Sequence, residues 1–276
     1  MQLTDNARSR HWCLEDIRFF SINRDMVRDD RFLFLTLASA SFVEILSETY
    51  ADNLIQHFQG DVEITDWLRD CWQRDEVQHG RALKMYVQAV WPEFNWDRAY
   101  QKFCKEYGAL CTAEQLEQQQ ALELIARCVI ETGTSSFYRA LQSYVQEPVL
   151  RTLLDMIRSD ETSHYVHFRR YFEAYNRREQ FGPGKIIATI WRRLRAISGE
   201  DSYIAFKHVH SGCYPGRQFL ESDWRSYSQK VKRLARRHYP YSVAVKMLVK
   251  PIPLSDRFKK LLQWPLVGVA VLISLV

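Results

Sequence analysis

The sequence predicts an all-α protein, and three observations carry that prediction. The 276 residues include only 10 Gly and 8 Pro, too few for the tight turns of a many-stranded β fold. Residues 31–58 contain neither Gly nor Pro, a run longer than any ordinary strand. An apolar fraction of 46% beside 26% charged residues suits a buried core under a solvated surface and excludes disordered, collagen-like and polytopic membrane chains.

The elements follow in order. A first helix is expected over residues 31–58, rich in Leu, Ala and Phe, interrupted by Glu44 and Glu48 and ended at Gly60 and Asp61. A second starts near Thr65 and passes Tyr86 to Pro92, where the missing backbone donor stops it. A third runs from about Thr112, a residue able to cap, to about Val145 through Leu122, Ile125, Val129 and Phe137. Pro148, tolerated in a first turn, opens a fourth that reaches about Asn176. Gly182, Pro183 and Gly184 read as a linker that separates a helical unit, residues 1–181, from an extension, residues 182–276. The extension reads as shorter helices and loops ending in residues 261–276, which carry no charge and follow Lys259 and Lys260.

The two parts also differ in charge. Residues 1–181 hold 21 Lys/Arg against 28 Asp/Glu, and residues 182–276 hold 17 against 5. A basic extension offers a docking surface to an acidic protein or an anionic membrane, with Arg192, Arg193 and Arg195 as candidate contacts. No recognisable nucleic-acid fold accompanies it, so nucleic acid is not an expected partner. The six cysteines form no C-x-x-C pair and the first residues lack a secretory apolar stretch, which predicts reduced thiols and a cytoplasmic chain. The apolar end, at about 24 Å as a helix against roughly 30 Å of hydrocarbon, leaves membrane attachment and burial in a homodimer or groove both open.

The chemistry lies in a repeated pattern, Asp75-Glu76-Val77-Gln78-His79 and Asp160-Glu161-Thr162-Ser163-His164. With 17 Glu and 8 His, roughly 0.5 Glu-x-x-His matches arise by chance, and requiring the leading Asp lowers this to about 0.03. Residues three apart on a helix share a face, so each pair offers a carboxylate and an imidazole to one region. A dinuclear metal site needs further carboxylates from neighbouring helices. Glu44 stands 32 residues before Glu76, and Glu131 stands 30 before Glu161, each within an apolar stretch. Four Glu and two His form the set that a di-iron or di-manganese carboxylate centre requires, and open mixed O/N ligation suits O2-activating iron.

These residues resemble a known family. Residues 72–80, with Leu83 and Tyr86 beyond, are similar to the second bundle helix of the soluble acyl-acyl-carrier-protein desaturases, and residues 160–164 resemble the fourth. Glu44 followed by Tyr50, and Glu131 followed by Thr134, resemble the first and third. The resemblance covers about residues 30–175 and implies a ferritin-like four-helix bundle, while the C-terminal basic helical extension read from the charge pattern has no counterpart in that family. Gln78 and Ser163 stand where that family usually has Arg, and Leu83 stands where radical-forming relatives have a tyrosine.

The resemblance further implies two irons, with manganese as an alternative, held by Glu44, Glu76, His79, Glu131, Glu161 and His164. It pairs Asp75 with His164 and Asp160 with His79 across the bundle, each aspartate fixing an imidazole. Thr134 is the candidate proton donor on the oxygen side, with Ser135 as substitute and backbone hydrogen bonding as the competing role. Phe32, Leu33, Phe34, Leu35, Leu37 and Phe42 either line a channel for an acyl chain or form plain core. The expected activity is O2-dependent desaturation or hydroxylation of a carrier-bound or membrane-associated acyl chain, with electrons from a ferredoxin or reductase. The alternatives are a non-enzymatic ferritin-like iron-binding protein and a di-iron monooxygenase or N-oxygenase acting on a small molecule.

Overall fold

The computed structural model describes residues 12–196 and 199–275, the side chains of 272–275 excepted. The N-terminal residues read for a secretory signal, and Val276, lie outside them. Among the described residues every regular element is helical.

The first apolar run forms two helices rather than one, α1 (Arg31–Ile45) and α2 (Ser47–His57), which break at Leu46. Asp30 caps α1 by accepting from the Leu33 amide at 2.9 Å. At the break, the Ser47 hydroxyl takes the Glu44 carbonyl at 2.7 Å, a side-chain bond that competes with the helical ladder. The second rod joins α3 (Val62–Trp67), a π-helical turn (Leu68–Trp72) and α4 (Gln73–Val90) end to end, stopping just before Pro92. α5 (Trp96–Tyr107) was not expected from the sequence, although Asn95 caps it and Trp96, Ala99 and Phe103 bury one face.

The third helix, α6 (Gln120–Tyr144), starts later than its expected beginning near Thr112. Thr112 instead precedes a single 3-10 turn and makes no side-chain cap. α7 (Pro148–Glu179) opens on its proline, with Glu147 accepting from the Leu150 amide at 2.7 Å, and it closes at Gln180 in the left-handed conformation. The Gly-Pro-Gly stretch spans only a tight junction, because Pro183 already begins α8 (Pro183–Ala196). α9 (Glu200–Cys213), α10 (Glu221–His238), α11 (Tyr241–Val249) and α12 (Asp256–Leu275) complete the chain.

α6 packs along α7, α1 along α4, and α4 meets α7. The later helices return to this framework: α8, α10 and α11 lie on α6, and α9 lies on α1 and α5. One apolar cluster joins α1, the end of α4, α5, the end of α6 and the start of α7 to Ile204, Phe206 and Leu234 of the extension. A second joins α2, the π turn, the start of α6 and the end of α7 to Ile186, Ile190 and Ile252. Residues 31–57 form a stretch apolar enough to cross a membrane by length and composition, and most of it is buried inside the protein. Phe34 meets Trp91 and Phe94, Phe42 meets Trp96 and Phe103, and Phe32 meets Tyr144 and Tyr227. With Leu33, Leu35 and Leu37 also buried, the segment before Glu44 is packed core.

Candidate metal centre

Between the two apolar clusters lies a layer of buried polar groups. Glu44 comes from the last turn of α1, Glu76 and His79 from the first turns of α4, Glu131 from the middle of α6, and Glu161 and His164 from the middle of α7. All six are at most 7% exposed. Gly80 is what lets the α1 end reach α4. A Cβ there would lie 2.4 Å from Ile45 Cγ1, 2.7 Å from the Ile45 nitrogen and 3.0 Å from Glu44 Cβ, so any larger residue would push Glu44 away.

The side chains converge in two overlapping sets. Glu44, Glu76, His79 and Glu161 bring one ligand atom each within 4.8 Å of one another, and so do Glu76, Glu131, Glu161 and His164. Glu76 and Glu161 belong to both sets. The sequence repeat becomes an approximate symmetry, in which His79 Nδ1 lies 3.2 Å from Glu161 Oε1 and His164 Nδ1 lies 3.2 Å from Glu76 Oε1.

Outward-facing atoms are satisfied and inward-facing atoms are not. His79 Nε2 donates to Asp160 Oδ2 at 3.0 Å, and His164 Nε2 donates to Asp75 Oδ2 at 3.1 Å. Each bond turns Nδ1 inward, where a cation displacing its proton would meet the lone pair. Glu76 Oε1, His79 Nδ1, Glu131 Oε2, Glu161 Oε1 and His164 Nδ1 are buried without a hydrogen-bond partner, the 3.2 Å approaches being misaligned. Five such atoms facing one another would be costly in a finished core. A cation in either set would answer several of them at once, so this donor set fits a metal ion.

The electrostatics agree. As side chains alone the acids must share protons: burial, followed by the charge of Glu161, pushes Glu44 up to about 7 and Glu131 to about 8. The same causes hold Glu76 well above the usual carboxylate range. Burial opposes ionisation of Glu161 too, yet the close imidazole of His79, followed by the charge of His164, holds it down at about 2. Burial would lower both histidines, but Asp160 and Glu161 around His79, and Asp75, Glu131 and Glu76 around His164, keep both well above the ordinary imidazole value.

Surrounding residues hold the carboxylates. Tyr138 donates to Glu44 Oε1, Trp72 Nε1 donates to Glu131 Oε1 at 3.2 Å, and the Thr134 hydroxyl lies 2.7 Å from Glu161 Oε2. Thr134 is also 3.2 Å from the carbonyls of Ile130 and Glu131. Ser135 turns to the Thr132 carbonyl at 3.3 Å. His167 stacks on Trp67, meets the Ser163 carbonyl through Nδ1 and belongs to neither ligand set. On the far side of His79, Trp12 Nε1 donates to Asp160 Oδ2 at 2.7 Å while its ring stacks on the imidazole. Gln78 anchors Trp12 through its carbonyl at 2.9 Å.

The roles of Trp12, Trp72, Tyr138 and Gly80 are set by tertiary contacts that the short motifs do not contain. Tyr138 carried a signal, since it lies seven residues after Glu131 and therefore on the same helix face. Trp12 carried none, being separated from Asp160 by 148 positions. The three arginines do not form one free surface. Arg192 grips Glu117 at 2.7 Å, Arg193 is partly buried with its Nε unpartnered, and Arg195 is exposed. A scan of the chain against protein-family models finds no match, and a search of curated proteins finds none either.

Proposed function

We propose that this chain is an O2-dependent oxidoreductase of ferritin-like four-helix-bundle architecture that binds two iron ions and desaturates or hydroxylates an acyl chain. One observation carries the metal part of this reading: two ligand sets that share Glu76 and Glu161, with their inner atoms buried and unpartnered. Sharing two carboxylates between two sets suits two ions rather than one, and carboxylate-rich ligation suits iron or manganese. The acyl substrate rests on the desaturase resemblance of residues 30–175.

Glu44 and His79 would serve one ion, Glu131 and His164 the other, and Glu76 and Glu161 both. Iron held there would supply the redox capacity to reduce O2 at the expense of a C–H bond. The protein's contribution is positioning. Asp160 and Asp75 fix the imidazole tautomers, Tyr138 and Trp72 fix the outer carboxylates, and Thr134 keeps a hydroxyl proton beside Glu161. Desaturation balances when two electrons and two protons from outside join two hydrogens from the acyl chain, turning O2 into two waters.

The test is to mix anaerobically reduced, iron-reconstituted protein with O2 and a long-chain acyl carrier protein, and then to weigh the acyl chain. Loss of two hydrogens or gain of one oxygen supports the proposal. Iron oxidation with an unchanged acyl chain across a panel of acyl lengths would instead support the iron-storage alternative.

A further inference from the structure

We propose that the surface formed by α10 and α12 docks this protein onto an anionic phospholipid bilayer. α12 lies against α10 and α11. It is tied down by Lys259 Nζ on the Lys250 carbonyl at 2.9 Å and by Gln263 Nε2 on the Ser242 carbonyl at 3.3 Å. Its inner side, Leu262, Gln263 and Val267, is therefore partly covered. Its outer side is open: Trp264 is 83% exposed, Leu261 70%, Val269 50% and Phe258 46%. Phe20 and Trp191 are also exposed, but here an outward Trp stands beside three outward apolar residues of the same helix and forms an unpartnered face.

The neighbouring charge selects the occupant. From Glu221 to the chain's last described residues there are eleven Lys/Arg and three Asp/Glu. On α10, the exposed Lys230, Arg233 and Arg237 follow one another at three- and four-residue spacing and so share a helix face. On α12 the exposed Arg257 and Lys260 precede the apolar stretch. A helix lying flat on the protein, with bases at one end, a tryptophan beyond them and apolar residues outward, has the make-up of an interfacial helix. Lipid phosphates would meet the bases while Phe258, Leu261 and Trp264 enter the headgroup–acyl boundary. A second copy of the chain is the weaker fit, because it would bring a surface of net positive charge against the same surface.

None of the six cluster residues lies on α10 or α12, so this inference stands apart from the metal reading. The experiment is co-sedimentation of the intact protein with vesicles of phosphatidylcholine alone and of phosphatidylcholine mixed with phosphatidylglycerol, with and without iron. Binding is expected to the mixed vesicles in both metal states and to weaken as salt rises towards about 1 M, where the Debye length is about 3 Å. The double variant Leu261→Ser/Trp264→Ser should lower partitioning by about tenfold or more, and Lys230→Gln/Arg233→Gln/Arg237→Gln by about tenfold. Both variants alter exposed side chains, so their helical content should match the parent. Equal binding to the two vesicle types, or unchanged binding by either variant, overturns the proposal. So does a parent that ignores vesicles and instead forms a dimer that the Leu261/Trp264 change dissolves.

Discussion

Helix α6 carries two buried carboxylates eight residues apart, and the protein treats them in opposite ways. Glu123 is fully buried and answered from within: Arg127 Nε donates to one oxygen at 2.6 Å and the Glu117 amide to the other at 2.8 Å. Glu147, ahead of α7, is likewise answered by the Tyr86 hydroxyl and by the amides of Leu150 and Asn23. Glu131 has one oxygen bonded to Trp72 and the other with no partner, facing similarly bare atoms of Glu76, Glu161 and His164. Where a buried acid serves the fold, this chain supplies the donors itself. The cluster is the place where it does not, and the difference marks the atoms available to a cation.

The largest expected effect is on the acids common to both sets. Glu76→Ala or Glu161→Ala, each removing a group from both, should abolish most metal binding, read as iron per chain after reconstitution. Glu123 and Glu131 should then part company. Glu123→Gln leaves Arg127 without its charge partner in the core and should cost about 3 kcal/mol in denaturant unfolding, with metal content unchanged. Glu131→Gln should change the stability of the metal-free protein by only about 1 kcal/mol or less while removing metal from one set. Equal destabilisation by the two changes, with equal metal content, would erase the distinction.

Packing and hydrogen bonding around the cluster come next. Gly80→Ala forces a Cβ against the Ile45 backbone nitrogen and should destabilise the protein by about 2 kcal/mol while weakening metal binding. Asp160→Asn should reduce metal affinity by about tenfold to a hundredfold, less than Glu161→Ala, because His79 keeps its place but loses its charged anchor. The smallest effect belongs to Arg192→Gln. Its ion pair with Glu117 is largely exposed on the arginine side, so the change should cost about 0.5 kcal/mol or less and leave metal content alone.

Acidity sharpens the same contrast. Glu44 and Glu131 are raised to about 7 and about 8 from 4.5, and Glu76, His79 and His164 are raised as well. The folded metal-free protein therefore holds more protons than the unfolded chain above the unfolded carboxylate value. The contribution of Glu44 and Glu131 should fall as pH rises from about 4.5 to about 8, and that of the two histidines should fall only above about 6.5. Glu161, held down at about 2, acts oppositely, and its contribution is lost only as pH falls from about 4.5 towards 2. A metal takes the place of the raised protons, so the gain in melting temperature on adding Mn(II) should grow as pH rises through the first window. A gain independent of pH would show that these carboxylates do not meet the metal.

Much of the cluster was legible because its residues obey short spacings. The two Asp-Glu-x-x-His patterns fall on helices, and the offsets from Glu44 and Glu131 place two further acids on the adjoining rods. The aspartate–histidine contacts also fall between the expected pairs, since adjacent helix residues point about 100° apart and must reach across. What spacing could not reveal was set by tertiary contact. The break at Leu46 falls inside an apolar run with no Gly or Pro to mark it, and the π turn at Leu68–Trp72 has no composition of its own. Trp12 and Tyr138 meet Asp160 and Glu44 over separations of 148 and 94 residues. The arginines of α8 illustrate the opposite case, where a basic run in the sequence divides between an ion pair, a partly buried group and an exposed one.

The most direct test of the central claim is an anaerobic titration of the metal-free parent with Fe(II), counting iron retained per chain after removal of excess. Saturation is expected at two irons in the parent, at about one in Glu131→Gln and near zero in Glu161→Ala. Saturation below one iron in the parent, or two irons retained in Glu161→Ala, would contradict it.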